Sequence, residues 1–181
     1  MNVKLYVEGG GQQNSALKAA CRRGFREFFS KAGLRRCPDV VPSRSGAEAS
    51  KDFQSAVAQG ESAVLLVDSE GPVRIESAAG ERIHFMVQAM EAWFHADKVA
   101  LERYYGQGFR VKALRQASPE TILKADLFAG LKAASKECQK GEYSKSNHSF
   151  EILAQIDPAK VRKASPYADR LLTTLDSLCE P

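Results

Sequence analysis

A chain of 181 residues with 44% hydrophobic content can close one full core, and a second domain is not expected at that length. Its net charge of +4 permits a polyanionic partner without demanding one. No apolar stretch approaches the ~20 residues that cross a bilayer, and Met1 to Val7 lacks the basic and apolar regions of a secretory signal. The four scattered cysteines, Cys21, Cys37, Cys138 and Cys179, have no CxxC spacing, which argues against structural zinc and for reduced thiols in a cytoplasmic protein.

Val3 to Val7 reads as a first strand, ending in Glu8 and followed by Gly9-Gly10-Gly11. Asn14 or Ser15 can cap the next helix, whose apolar positions Leu17, Cys21, Phe25, Phe28 and Ala32 have helical spacing. Lys18, Arg22, Arg23 and Arg26 fall on its other side, as a solvated face or a phosphate-binding stripe. A glycine turn before a helix N-terminus could hold a phosphate at Gly9 and Gly10. The run has neither the lysine of a P-loop nor the GxGxxG pattern, so a nucleotide pocket of either kind is weakly supported.

Val40-Val41 suits a short second strand, and Ser45-Gly46-Ala47-Glu48 is a capping box. The helix behind it should run from Gly46 to Gln59 and bury Ala49, Phe53, Ala56 and Val57. Ala63-Val64-Leu65-Leu66-Val67 is too short for a buried helix and suits a strand covered on both faces. Asp68-Ser69-Glu70 follows at once, and Gly71-Pro72 turns the chain away. Strand, helix, strand, helix, strand implies right-handed crossovers and a parallel sheet. Glu8 and Asp68 then end two parallel strands, at the edge where open sheets bind ligands. If the strands are neighbours, one metal ion can reach both carboxylates.

Gly71 to Gly80 reads as loop with a short helix, and Ile83 to Val87 as a fourth strand. Gln88 to Asp97 starts a helix with Met90, Trp93 and Phe94 in the core. Glu91 sits among those apolar neighbours, where a charge needs a partner; an arginine salt bridge and a functional role are both open. Asp97 can cap a helix over Lys98 to Tyr105. His84 and His95 have no partner at ligand spacing and read as structural or surface residues. Beyond this point the pattern is helical. Ser118-Pro119-Glu120 marks a helix start, and a helix spans about Ala125 to Gln139. Glu142 to His148 is a polar loop with one aromatic. Phe150, Ile152, Leu153 and Ile156 mark a helix stopped by Asp157-Pro158, and Ser165-Pro166 starts the last helix, which buries Ala168, Leu171, Leu172, Leu175 and Leu178. The fold class is α/β, with a mainly parallel sheet flanked by helices. Residues 1–97 form the core of one domain, and residues 98–181 form a mainly helical extension packed on it.

Glu8, Asp68 and Glu70 place three carboxylates on loops after parallel strands. Hard oxygen donors without cysteine or paired histidine favour magnesium or manganese over zinc. A divalent ion would relieve their repulsion, and such sites support phosphoryl transfer or phosphodiester hydrolysis. Lys145 and His148, beside Tyr143, could contact phosphate or donate a proton to the leaving oxygen; an exposed loop is the alternative.

Val7-Glu8-Gly9 and Asp68-Ser69-Glu70 resemble the Toprim signature of topoisomerases, primases and overcoming-lysogenization-defect nucleases: a glutamate after one strand and Asp-x-Asp after another. The chain more nearly resembles a Toprim-like bacterial family, domain of unknown function 4276. Three stretches carry that resemblance: Met86 to Asp97, Tyr143 to His148, and Ile156 to Pro166. It implies a Rossmann-like Toprim core, magnesium at Glu8, Asp68 and Glu70, and a nucleic-acid substrate, DNA or RNA. It also implies Glu91, Lys145 and His148 as site members and a partner ATPase in a phage-defence setting. Here the acidic pair is Asp-x-Glu, so the second ligand reaches one methylene further, and Gln12 stands where many Toprim proteins carry a further acid. The leading reading is a magnesium-dependent nuclease or phosphoryl-transfer enzyme with Glu8, Glu91 and His148 in catalysis and Lys145, Gly9 and Gly10 on phosphate. The alternative is a non-catalytic subunit that binds nucleic acid or an ATPase through a degenerate site. Either is compatible with a homo-oligomer.

Overall fold

The computed structural model describes residues 2–9, 14–71 and 82–179. Four parallel strands form one sheet in the order β2-β1-β3-β4: β1 (Lys4–Glu8), β2 (Asp39–Ser43), β3 (Ala63–Asp68) and β4 (Ile83–Met86). β1 lies between β2 and β3, with Lys4 to Glu8 in register with Asp39 to Ser43 and Lys4 to Val7 in register with Ala63 to Leu66. The apolar run at residues 63–67 is the wholly buried strand that its composition predicts.

Two helices complete the first crossovers, α1 (Ser15–Lys31) and α2 (Gly46–Ala58). They cover opposite faces, because alternate residues of a strand point to opposite sides. Val3, Leu5, Val7, Val64 and Leu66 pack towards Cys21, Phe25, Phe28 and Phe29 of α1. Tyr6, Leu65 and Val67 pack towards Ala49, Phe53 and Ala56 of α2. Val57 is 47% exposed, so the expectation that it is buried fails. It lies one residue beyond Ala56, which rotates it off the buried stripe. Asn14 caps α1 by accepting from Leu17 N at 3.0 Å. Ser45 caps α2 by accepting from Glu48 N, and Glu48 returns a bond to Arg44 N at 2.6 Å, one residue earlier than the usual capping-box partner.

The helical half consists of α3 (Glu91–Ala96), α4 (Lys98–Tyr105), α5 (Lys124–Ser135), α6 (Lys145–Leu153), α7 (Pro158–Ala164) and α8 (Pro166–Leu178). Its residues Leu101, Leu131, Ile152, Leu153 and Leu171 share one cluster with β1 and α1, so sheet and extension have a common core. Trp93 stacks on Phe28 with ring centroids 5.3 Å apart. Asp97, 3% exposed, does cap α4, but it does more than the sequence reading assigned it. Its second oxygen accepts from Asp157 N at 3.0 Å, and Lys160 Nζ sits 2.6 Å from the first. Burial alone would raise its pKa; the Lys160 ammonium and the two backbone donors outweigh that and hold it low.

Three expectations change. Asp157-Pro158 stops one helix and also starts another, since Asp157 caps α7 and Pro158 takes its first position. Lys145 to His148 form the first turn of α6 rather than loop. The Ser118-Pro119-Glu120 start yields only a 3₁₀ turn over Pro119–Thr121. The loop and short helix expected at Gly71 to Gly80 fall, from residue 72 on, outside the described residues.

Candidate metal centre

The order β2-β1-β3-β4 makes the chain leave β1 in one direction and β3 in the other, so a crevice opens beyond their carboxyl ends. Glu8 ends β1 and Asp68 ends β3, on hydrogen-bonded neighbours. Glu70 follows two residues later. Each of these three offers an oxygen, and the three oxygens lie within 4.8 Å of one another. The convergence foreseen from the strand pattern is therefore present.

Each acid is held differently. Glu8 lies under the start of α2, where a Cβ on Gly46 would come within 3.1 Å of Glu8 Oε2. Burial pushes its pKa up, and Asp68 and Glu70 add to that, while Lys145 and Lys124 pull it back. Asp68 is 7% exposed; its Oδ1 accepts from Met90 N at 3.0 Å and its Oδ2 faces Lys145 Nζ at 3.1 Å. Glu70 has φ +60, and its N–H donates to Gln88 O at 3.0 Å while Ser69 N donates to Met86 O, so the turn is bonded to the end of β4. Lys124 pairs with Glu70 and stands 3.9 Å from Asp68. Gln88 fixes that lysine's backbone by accepting from Lys124 N at 3.0 Å.

Three carboxylates therefore face two ammonium groups. Burial lowers the pKa of Lys145, but Asp68, Glu91 and Glu8 together outweigh it and leave the amine above its ordinary value. Magnesium binds oxygen at about 2.1 Å, so ligands on opposite sides of it span only about 4.2 Å. An oxygen set spread over as much as 4.8 Å would suit a partly hydrated ion that met one acid through a water, or direct ligation once the 60% exposed Glu70 side chain moved inward.

Glu91 is fully buried at the start of α3. Tyr143 Oη donates to its Oε1 at 2.6 Å, and among the described residues its Oε2 has no hydrogen-bond partner. Burial raises its pKa; Lys145 and Tyr143 oppose that and Asp68 adds to it. Its partner is thus a phenol and not the arginine that a buried-charge argument suggests. At His148, Ser144 N donates to Nδ1 at 3.0 Å and Nε2 donates to Lys140 O at 3.2 Å, both of them backbone groups. The ring packs among Tyr104, Tyr105 and Tyr143. Both ring nitrogens are thus engaged within the chain in this structure. The Gly9 N–H donates to Ser43 O at 3.1 Å, and Gly9 takes φ +134 with Phe150 so close that a Cβ would lie 2.9 Å from Cζ. Close packing against Phe150 thus requires a glycine here. Gly10 and Gln12 lie outside the described residues.

Lys124, Gln88 and Arg44 escaped the sequence reading. Lys124 and Gln88 carry no local signal, because only the docking of α5 brings them to the carboxylates. Arg44 had one: it follows the end of β2, beside Glu8. A groove of about 310 Å³ beside Glu8 is lined by Arg44, Lys145, Ser146, Leu17, Gly9 and Phe150.

No curated protein and no solved structure matches the chain. A family model described as "Domain of unknown function (DUF4276)" matches residues 7–176, nearly the whole length, and the chain belongs to that family.

Proposed function

We propose that the protein is a Toprim-like, magnesium- or manganese-dependent nuclease or phosphoryl-transfer enzyme acting on nucleic acid. One observation carries this reading: Glu8, Asp68 and Glu70, far apart in sequence, converge at the switch point of a parallel sheet. Glu8, Asp68 and Glu70 would hold the ion, with the exposed Glu70 side chain free to adjust. A bound divalent ion would polarise a phosphoryl oxygen and lower the pKa of a coordinated water. Lys145, relieved of Asp68 by the ion, is the phosphate contact, and Arg44 shares the groove beside Glu8. Glu91 orients Tyr143 and, through charge, Lys145. Such an ion would also supply the acidity needed at the leaving oxygen, since backbone groups engage both ring nitrogens of His148.

The spacing of Glu8 and the Asp-x-Glu pair on adjacent strand ends supports the Toprim relationship. Four free cysteines favour a reducing cytoplasm, and among the described residues no helix is long and apolar enough to cross a membrane. A partner ATPase in phage defence is part of the same proposal. The second reading is a non-catalytic binding subunit. What favours it is that Lys145 and Lys124 already neutralise Asp68 and Glu70 without any metal.

The test is cleavage of labelled DNA and RNA with magnesium by the parent and by Asp68→Ala. Metal-dependent cleavage in the parent alone supports the enzyme. Equal rates in both sink the assignment. Calorimetry with magnesium and manganese separates the second reading, which predicts no heat at millimolar metal.

A further inference from the structure

A second groove lies away from the carboxylates. It has a volume of about 690 Å³ and sits at the opposite end of the sheet, where α1 passes the segment leading into β2. Arg22 and Arg26 line it from α1, and Arg35 and Arg36 line it from that segment. All four side chains are exposed, and among the described residues none forms an ion pair. One carboxylate, Asp39, faces these four guanidinium groups, and it is itself bonded to Asn2 Nδ2. Four like charges from two separate elements facing a single carboxylate repel one another, and a bound polyanion relieves that repulsion.

We propose that this arginine groove binds the phosphodiester backbone of a nucleic acid, away from the site of chemistry. The inference rests on nucleic acid being the substrate class, but not on the metal. Three features favour phosphate over an acidic protein surface. The cations lining the groove are all arginine, whose planar fork matches phosphate with two hydrogen bonds. No aromatic side chain lines it, so bases have nothing to stack on and the contact reads backbone rather than sequence. A row of cations on α1 also runs from the groove towards the carboxylate end of the sheet. Lys18, Arg22 and Arg26 are four residues apart, so they follow one side of α1 at about 6 Å intervals. Leu17, next to Lys18, lines the groove beside Glu8. The two ends of β2, Asp39 in the arginine groove and Ser43 paired with Glu8, are about 13 Å apart. One strand of nucleic acid can therefore lie along α1 with one end anchored and the other at the acids.

The experiment is a binding titration of a fluorescent duplex of unrelated sequence, as DNA and as RNA, in chelator across a range of salt. The absence of divalent metal makes the readout independent of Glu8, Asp68 and Glu70, so failure here is distinct from failure of the cleavage test. The parent should bind both duplexes with affinity falling linearly in log salt. Arg22→Gln/Arg26→Gln and, separately, Arg35→Gln/Arg36→Gln should each weaken binding by on the order of tenfold per arginine at 0.1 M salt and flatten the log–log slope by about 2. A control pair on another face, Arg110→Gln/Arg115→Gln, should change neither. Unchanged thermal unfolding of the variants establishes that they fold. Equal affinity and slope for parent and groove variants would overturn the proposal. So would competition by polyglutamate that is as effective as competition by unlabelled duplex, because the groove would then be a protein-docking surface.

Discussion

Tyr143 Oη donates to Glu91 Oε1 at 2.6 Å, joining residues 52 apart in sequence. The bond ties the segment before α6 to the first turn of α3, and Tyr143 N is in turn bonded to Ser135 Oγ at 2.7 Å. Burial, with Glu91 beside it, pushes the phenol pKa well up, so the hydroxyl stays a donor. Tyr143→Phe removes the hydrogen bond and leaves a buried carboxylate without it. Urea unfolding should show a loss of about 1–3 kcal/mol. In Tyr143→Phe/Glu91→Leu the two effects should not add, because the second change removes the group that the first one orphans. Strict additivity would show that the pair is not coupled.

Lys145 acts as a resident counter-ion. Lys145→Met should lower the melting temperature in chelator, because Asp68 and Glu8 lose a neighbouring positive charge. Magnesium should then raise the melting temperature of the variant by more than it raises that of the parent, since the ion no longer competes with an ammonium group. An equal or absent magnesium shift in both proteins would argue against a metal at these acids.

Gly9 is required on two counts, its φ of +134 and the approach of Phe150. Gly9→Ala should destabilise by about 1–3 kcal/mol through backbone strain, with the ring contact adding to that. Gly71→Ala, with open space around the glycine, should lie within about 0.5 kcal/mol of the parent. A denaturant series on the two variants checks the contrast.

His95 gives the fold a pH limit. It is 3% exposed, its Nε2 lies 3.4 Å from Leu127 O, and burial pushes its pKa down from 6.5 to about 4. The unfolded chain binds the proton near pH 6.5 and the folded chain only near 4. Stability from this residue is therefore complete above pH 6.5 and is lost as pH falls towards 4. Between neutral pH and about pH 4.5 the loss amounts to about 2 kcal/mol. His95→Leu should show a flatter stability profile over that window. A profile parallel to the parent's would assign the acid sensitivity elsewhere.

The sheet and its acids were legible because their signals are local. A five-residue apolar run, an Asn cap and a Ser-x-x-Glu box each declare themselves within a few residues, and parallel topology then brings Glu8 and Asp68 together. The cationic half of the centre was only partly legible. Lys145 stood out beside Tyr143, but as a phosphate contact; that it pairs with Asp68 depends on α6 packing close to α1, where a Cβ on Gly24 would meet Phe150 O at 2.7 Å. Lys124 reaches Glu70 from the start of α5, where Gln88 accepts from its backbone N–H, a contact between residues 36 apart in sequence. The surroundings of His148 were hidden for a related reason: its backbone partners at Ser144 and Lys140 are set by the fold around the ring. Asp157-Pro158 read as a stop because a proline that cannot continue one helix is equally suited to opening another.

The carboxylates of the rim are complete by residue 70, whereas the amines that quiet them arrive at positions 124 and 145. During synthesis the three acids therefore emerge well before the two lysines that face them. The opposing charges meet only when α5 and α6 dock. A chain cut short before α6 would keep its acids and Lys124 yet lack the ammonium group that faces Asp68.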